Sequence, residues 1–200
     1  LERLVEYSDE AFESITGRPQ PFKAHCQESL ESLAKSIEEN GVINPIVVRP
    51  LEDGKYQILA GRNRARASRI CGNTDIPAIV RADIDDIGAA MIMLDTNLEQ
   101  RPSLSYSEKA FAYKMRIELQ SCQGKRTDLD GNGKKDSLSE VGKENKDSRR
   151  MVAYLIRLTY LNTNLLDMVD EGELGFKLGV AISYLTPNTQ FLLFKEIIEK

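Results

Sequence analysis

VINPIVVRPLEDGKYQILAGRNRARASRICG, residues 42–72, decides how the first half of this chain is read. Val42 to Pro50 is rich in β-branched residues and reads as a strand. The segment LEDGKYQIL carries it through an Asp53-Gly54 turn into a second strand ending near Leu59, so the two strands form a hairpin. Gly61 then opens a short helix crowded with arginine, and Gly72 closes it. Working outward, QESLESLAKSIEENG over residues 27–41 puts Leu30, Leu33, Ala34 and Ile37 on one helical face, with Asn40-Gly41 as the stop. Downstream, Ile-Pro-Ala-Ile-Val between Asp75 and Arg81 reads as a third strand. After Asp83 the strand signals end. Helical patterns follow at about 84–99, 105–121, 137–146, 148–160, 163–170, 176–184 and 188–199, interrupted by a Gly-, Asp- and Lys-rich stretch at 123–136. The expectation is an α+β chain: a mixed α/β domain over residues 1–98 and an all-helical domain over 99–200, with Gln100-Arg101-Pro102-Ser103 marking the change.

Composition narrows the classes. The 200 residues are 41% hydrophobic and 29% charged, enough for one or two domains with real cores. The longest apolar stretch, Ala89 to Leu94, falls far short of the roughly 20 residues of a spanning helix, and the N-terminus lacks the basic-then-apolar order of a signal peptide. A soluble, cytoplasmic protein is expected. Cys26, Cys71 and Cys122 lie far apart with no C-x-x-C pair, which argues against a disulfide framework or a zinc site. The single histidine, His25, falls in a stretch that reads as loop and can anchor neither a catalytic triad nor a multi-histidine metal site. Tyr7, Tyr56 and Tyr113 fit packing better than stacking on nucleotides. The formal charge is −4, yet Lys125 to Arg157 holds nine basic residues against six acidic, a local net of +3. Phosphate attraction reaches about a Debye length, roughly 8–10 Å, so a restricted basic face suffices to meet nucleic acid.

Two segments can carry chemistry. The junction Leu59-Ala60-Gly61-Arg62-Asn63-Arg64-Ala65-Arg66-Ala67 joins a strand to a helix. Glycine there allows close backbone approach, the helix N-terminus offers N–H groups and positive dipole, and the arginines add forked donors, which together suit phosphate. The alternative is a surface helix whose arginines face water. In Asp147 to Leu158, Val152, Leu155 and Ile156 share a packing face, while Arg150, Tyr154 and Arg157 recur at i, i+4 and i+7 on another. Ser148 is a good N-cap. A short helix before it, Ser137 to Asn145, turns Leu138 and Val141 inward, and Gly142 allows a close crossing. The pair, spanning 137–158, matches a helix-turn-helix whose second helix presents Ser148, Arg149, Arg150, Tyr154 and Arg157 to DNA; an ordinary helical hairpin is the alternative. Asp128 to Gly133 imitates the first half of a calcium loop. Lys135 and Ser139 at the eighth and twelfth positions break the match, so a Gly/Asp-rich linker is expected there.

Taken together these segments resemble the ParB/RepB-type partition family, especially the plasmid and conjugative-element variants. Leu33 to Arg49 is similar to that family's L-x-x-S-I-x-x-x-G-x-x-x-P-I-x-V-R motif. Gly61 to Ala67 resembles its G-E-R-R-x-R-A box. Asn97-Leu98-Glu99-Gln100-Arg101, followed by Leu104 and Ser107 to Ala110, resembles its E-N-L-Q-R segment, and Ser148 to Leu158 its recognition helix. The resemblance covers nearly the whole chain. It implies a homodimeric clamp on double-stranded DNA carrying an inverted repeat, with CTP and a magnesium ion in the N-terminal domain and a ParA-like ATPase as partner. It further implies that Gly61, Arg62, Asn63, Arg64 and Arg66 hold phosphates, that Arg49 lies close by, and that Asn97 is the metal-side residue. Arg62 and Asn63 replace the box's glutamate and next arginine, Thr96 stands where an acidic residue precedes the asparagine, and Glu99 is an extra residue. Two missing carboxyl groups favour CTP binding without turnover, because magnesium is held chiefly by carboxylates and phosphates. Alternatives from other classes are a nucleotide hydrolase (CTPase) or nuclease in the N-terminal domain, and a transcriptional regulator with no partition role. Sulfiredoxin shares this fold, but its reactive cysteine falls in a box that here holds Arg62 and Asn63.

Overall fold

The β-branched run after Pro45 builds the centre of a sheet. In the computed structural model, which describes residues 1–23, 27–101, 103–124, 138–139, 142 and 147–198, that sheet has four short strands. They are β1 (Leu4–Glu6), β2 (Ile46–Pro50), β3 (Tyr56–Ala60) and β4 (Ala78–Val80), in the order β1-β3-β2-β4. The hairpin β2–β3 is antiparallel, with Val48 opposite Ile58 and a register shift between Val47 and Val48. Its turn closes through Leu51 N to Lys55 O (2.8 Å), and Gly54 takes φ +75°, where a Cβ costs about 1–2 kcal/mol. β1 and β4 each pair in parallel at the outer edges.

Residues 1–97 and 98–200 form two compact units. In the first, α1 (Asp9–Thr16) and α2 (Gln27–Asn40) lie between β1 and β2, α3 (Arg62–Ile70) lies between β3 and β4, and α4 (Asp86–Gln100) follows β4. Alternation along β2 and β3 turns Ile46, Val48 and Ile58 inward against Ala65 of α3. Each fully buried aliphatic side chain contributes about 1.5–3 kcal/mol. Ala34 and Ile37 of α2 close on Ala67 of α3, which seats α3 between sheet and helix. α2 ends at Asn40 because Gly41 turns left-handed, its N–H donating to Ile37 O. β1 and α1 are additions to the sequence expectation. α1 is capped by Ser8, whose hydroxyl accepts from Ala11 N, and it buries Phe12 edge-on against Tyr7.

The second unit is helical among its described residues: α5 (Tyr106–Gly124), α6 (Arg149–Leu158), α7 (Thr163–Glu171), α8 (Phe176–Ile182) and α9 (Pro187–Ile198). Its core combines Tyr113 and Leu119 with Val152, Leu155, Leu165, Val169 and Ile182. Gln190 is buried as a polar joint: its Oε1 accepts from Asn162 N, and its Nε2 donates to Tyr160 O and Leu185 O. Such a fully paired buried amide fixes three chain segments at once. Of the Asp128–Ser139 stretch, only Leu138 and Ser139 lie among the described residues. No helix among them is long and apolar enough to cross a membrane.

Candidate nucleotide site and nucleic-acid interface

Gly61 is the pivot of the first site. It takes φ +90°, and a Cβ there would sit 2.7 Å from Ile46 Cγ2, so glycine alone lets β3 turn into α3 against β2. No side chain caps α3. Its first-turn N–H groups and dipole are therefore arranged to meet an anion. Asn63 is half-buried in that turn.

The arginines around this point all have acceptors within the chain. Arg62 Nη2 donates to Gln20 Oε1 at 3.1 Å, and Arg64 Nη1 donates to the carbonyls of Asn44 and Pro45 at 2.5 and 2.8 Å. Arg66 forks onto both carboxylate oxygens of Glu6 at 2.7 and 2.6 Å, while Arg69 Nη2 donates to Leu4 O. Arg62, Arg66 and Arg69 thus hold the N-terminal segment with one face of α3. Arg64 braces the loop before β2, and burial lowers its pKa. Burial works to raise the Glu6 carboxyl, but Arg66's hydrogen bonds and charge, aided by Arg62 and Arg69, outweigh it and hold the group below the ordinary carboxylate range. Arg49 stands apart from this set: the register puts Val47 opposite Ala60 and Arg49 opposite Gln57. Its Nε donates to Gln57 Oε1 and its Nη2 to Asp86 Oδ1, both at 2.7 Å. Tyr7, whose phenol burial pushes up to about 12, feels both Arg49 and Asp86. Asn97 lies on α4 and donates its amide to Met93 O at 2.7 Å. Among the described residues no three His, Cys, Asp or Glu side chains gather into a metal-binding group, so they build no magnesium site of their own.

The second site is built on α6. Residues 138, 139 and 142 of the expected preceding helix are helical; the rest of 137–146, including Val141, lies outside the described residues. A Cβ on Gly142 would meet Asp147 O at 2.7 Å and Val152 Cγ2 at 3.2 Å, so this residue permits the close approach to α6 that its sequence position suggested. Asp147 N closes the turn onto Gly142 O at 2.8 Å. The Asp147 carboxylate accepts from the buried Tyr113 hydroxyl at 2.5 Å and lies 3.9 Å from Lys109 Nζ. Ser148 caps α6 by accepting from Met151 N. Val152, Leu155 and Leu158 face the core, whereas Arg149 and Arg150 are exposed. Arg150 Nε donates to Tyr154 Oη at 2.8 Å, with its guanidinium 5.2 Å from that ring's centre. Arg157 is half-buried and engaged elsewhere, donating to Ser183 Oγ and Ser183 O.

The pattern described as the ParB N-terminal domain matches residues 9–98. The chain is 35% identical over 188 residues to the chromosome-partitioning protein Spo0J of Thermus thermophilus, across 94% of this chain and 63% of that protein. It is 35% identical over 182 residues to the chromosome-partitioning protein ParB of Caulobacter vibrioides, across 90% of this chain and 54% of that one. Its fold is similar to that of the C-terminally truncated ParB from Caulobacter crescentus, solved in complex with the centromeric parS site. That likeness has a TM-score of 0.66 at 30% identity and covers 99% of this chain and 89% of the other. The chain belongs to the ParB family.

Against those curated ParB relatives this chain spans between about half and two thirds of their length. Within this ParB chain, sequence reasoning found the glycine pivot and the start of α6. It missed the roles of Glu6, Gln20 and Ser183 in holding the arginines, and the bond by which Tyr113 fixes Asp147 before α6. These partners lie 26 to 60 positions from the residues they hold, with no periodic signal to announce them.

Proposed function

We propose that this member of the ParB family binds DNA sequence-specifically in chromosome or plasmid partition, as a homodimer on an inverted-repeat duplex, in the cytoplasm and on the nucleoid. The observation that carries this reading is α6: capped by Ser148, seated by Gly142 and the Tyr113–Asp147 bond, with Arg149 and Arg150 exposed at its N-terminal end. The N-terminal residues of a recognition helix are the ones that reach base edges in the major groove. Arg150 and Tyr154 form a joined donor pair suited to a base edge and a neighbouring phosphate, and Ser148 and Arg149 suit phosphate contact. The parS-bound Caulobacter structure, similar over nearly the whole chain, supports the same reading.

We infer further that the N-terminal unit binds CTP at the start of α3 and that the nucleotide regulates closure of the DNA clamp. Bound there, CTP would supply a triphosphate for the donors at this turn to hold. The uncapped first turn of α3 fits one phosphate group, with Arg62 and Arg64 as forked donors in that turn and Arg66 on the next. Because each arginine already has an internal acceptor, phosphate binding proceeds by exchange and alters how the N-terminal segment is held. Arg62 and Thr96 stand where the family's motifs carry carboxyl groups, which favours binding over magnesium-assisted hydrolysis.

Selection of duplexes from a random pool, with and without CTP, tests both statements. Enrichment of an inverted repeat is expected, with CTP changing the lifetime of the complex. Arg150→Ala should cost about 1–3 kcal/mol in affinity for the enriched duplex. Unchanged affinity in that variant removes α6 from the recognition surface.

A further inference from the structure

A chain of alternating cations and rings crosses the helical unit. Lys114 Nζ of α5 lies 4.6 Å from the centre of the Tyr160 ring, and the Arg157 guanidinium of α6 lies 4.9 Å from that ring and 4.1 Å from Tyr184, just after α8. Arg157 also donates Nε to Ser183 Oγ at 3.2 Å and Nη2 to Ser183 O. Ser183 is fixed in turn: it is buried, and its hydroxyl donates to Val180 O. Tyr160 and Tyr184 are 55% and 67% exposed, so burial in the core does not explain their placement. Their common neighbour is Arg157.

We propose that Arg157 is a positioning residue for DNA reading, fixing the rotation of α6 through Ser183 and the Tyr160–Tyr184 pair, with Tyr184 as its partner in that task. This rests on the reading of α6 as the recognition helix. Ten residues of helix span about 15 Å, and α6 is anchored at both ends. At its start the Tyr113–Asp147 bond and the tight Gly142 contact hold the turn; near its end Arg157 ties it to α8. Arg150, Tyr154 and Arg157 share one stripe at i, i+4 and i+7, so fixing Arg157 sets the angle at which the other two are presented. A guanidinium suits this position because its rigid plane bonds Ser183 through two nitrogens while meeting aromatic rings, which an ammonium on a flexible stem does not reproduce.

The test compares the duplex enriched by the wild-type chain with a scrambled duplex of equal length. Arg157→Ala and Tyr184→Ala are each expected to weaken binding to the enriched duplex about tenfold, while binding to the scrambled duplex changes by less than about twofold. The double variant should be no weaker than about either single one, since both remove the same clamp. Arg157→Lys keeps the charge and should still lose specificity; Tyr184→Phe keeps the ring and should retain it. Thermal midpoints of all variants establish that they are folded, and the two conservative variants carry the test should an alanine variant not fold. The proposal is overturned if Arg157→Ala weakens both duplexes equally, lowers the salt slope of log affinity by about 1, and Tyr184→Ala does nothing; Arg157 is then a phosphate contact. Failure of the wild-type chain to enrich any sequence overturns the reading of α6 itself, and the positioning role with it.

Discussion

Helices α3 and α6 are both short and arginine-rich, yet they use the same residue in opposite ways. In α3, Arg62, Arg64, Arg66 and Arg69 donate to Gln20, Asn44 and Pro45, Glu6 and Leu4. In α6, Arg149 and Arg150 are exposed at the first turn, while the half-buried Arg157 donates to Ser183 just after α8. The difference is set by what faces each helix. α3 meets the Glu6 carboxylate, the Gln20 amide and the backbone carbonyls of Leu4, Asn44 and Pro45, so its guanidiniums are hydrogen-bonded within the unit. At the start of α6 the Asp147 carboxylate accepts from Tyr113 and lies beside Lys109, and Arg149 and Arg150 are exposed to solvent. Arginine content alone therefore does not mark a nucleic-acid surface; the supply of acceptors from neighbouring elements decides it.

The largest expected effect comes from removing the pivot on the α3 side. Gly61→Ala adds a Cβ at φ +90° and 2.7 Å from Ile46 Cγ2, combining backbone strain with a clash in the sheet core. A loss of about 2–4 kcal/mol in unfolding free energy is expected, read from the denaturant midpoint, with CTP binding lost in parallel. A variant of wild-type stability would mean that the strand-to-helix turn is not what seats α3. On the α6 side, Tyr113→Phe deletes one hydroxyl and leaves Asp147 with Lys109 at 3.9 Å. This should cost about 1–3 kcal/mol in stability. The Tyr113 phenol is raised by burial and by its bond to Asp147, so the folded unit resists its ionisation. The stability it supplies is complete below the ordinary tyrosine range and lost as pH rises through the folded value. Tyr113→Phe should therefore flatten the alkaline limb of the stability curve; an unchanged limb breaks the claim that this bond holds the turn.

What the sequence disclosed about these two helices follows from the range of the signals. Period-3.6 patterns place α2, α5, α6 and α7 to within a few residues, because each buries a stripe such as Leu33, Ala34 and Ile37. The β2–β3 hairpin is visible in its β-branched run and its Asp53-Gly54 turn. β1 is only three residues long, too short for any period to show, and its partner β3 lies about fifty residues away. α1 had a local signal that could have found it: Ser8 followed by Asp9 and Glu10, with Gly17 as the stop. At the sites, Gly61 and Ser148 are legible because glycine pivots and N-caps act within three residues. Whether an arginine points outward depends on partners such as Glu6, 60 positions from Arg66, or Ser183, 26 from Arg157, and those pairings exist only once the chain has folded.

The smallest effect is the most direct probe of why α3 and α6 differ. Glu6→Gln removes the carboxylate that occupies Arg66 while keeping an amide of the same shape. The pair is partly exposed, with side chains 29% and 40% accessible, so its contribution at neutral pH is less than about 1 kcal/mol. Its pH dependence has a definite sign. The folded state holds the Glu6 carboxyl below its ordinary value, so the contribution is complete above the ordinary carboxylate range, about 4.3, and is lost as pH falls through the folded value. Wild type and Glu6→Gln should therefore differ slightly at pH 7 and converge on acidification. Nucleotide affinity should move the other way from stability. If Glu6 competes with phosphate for Arg66, removing its charge frees the guanidinium, and the variant binds CTP a few-fold more tightly than wild type. Weaker CTP binding would assign Glu6 to the ligand's own surroundings, and unchanged binding would leave Arg66 as a latch for β1 that takes no part in holding phosphate.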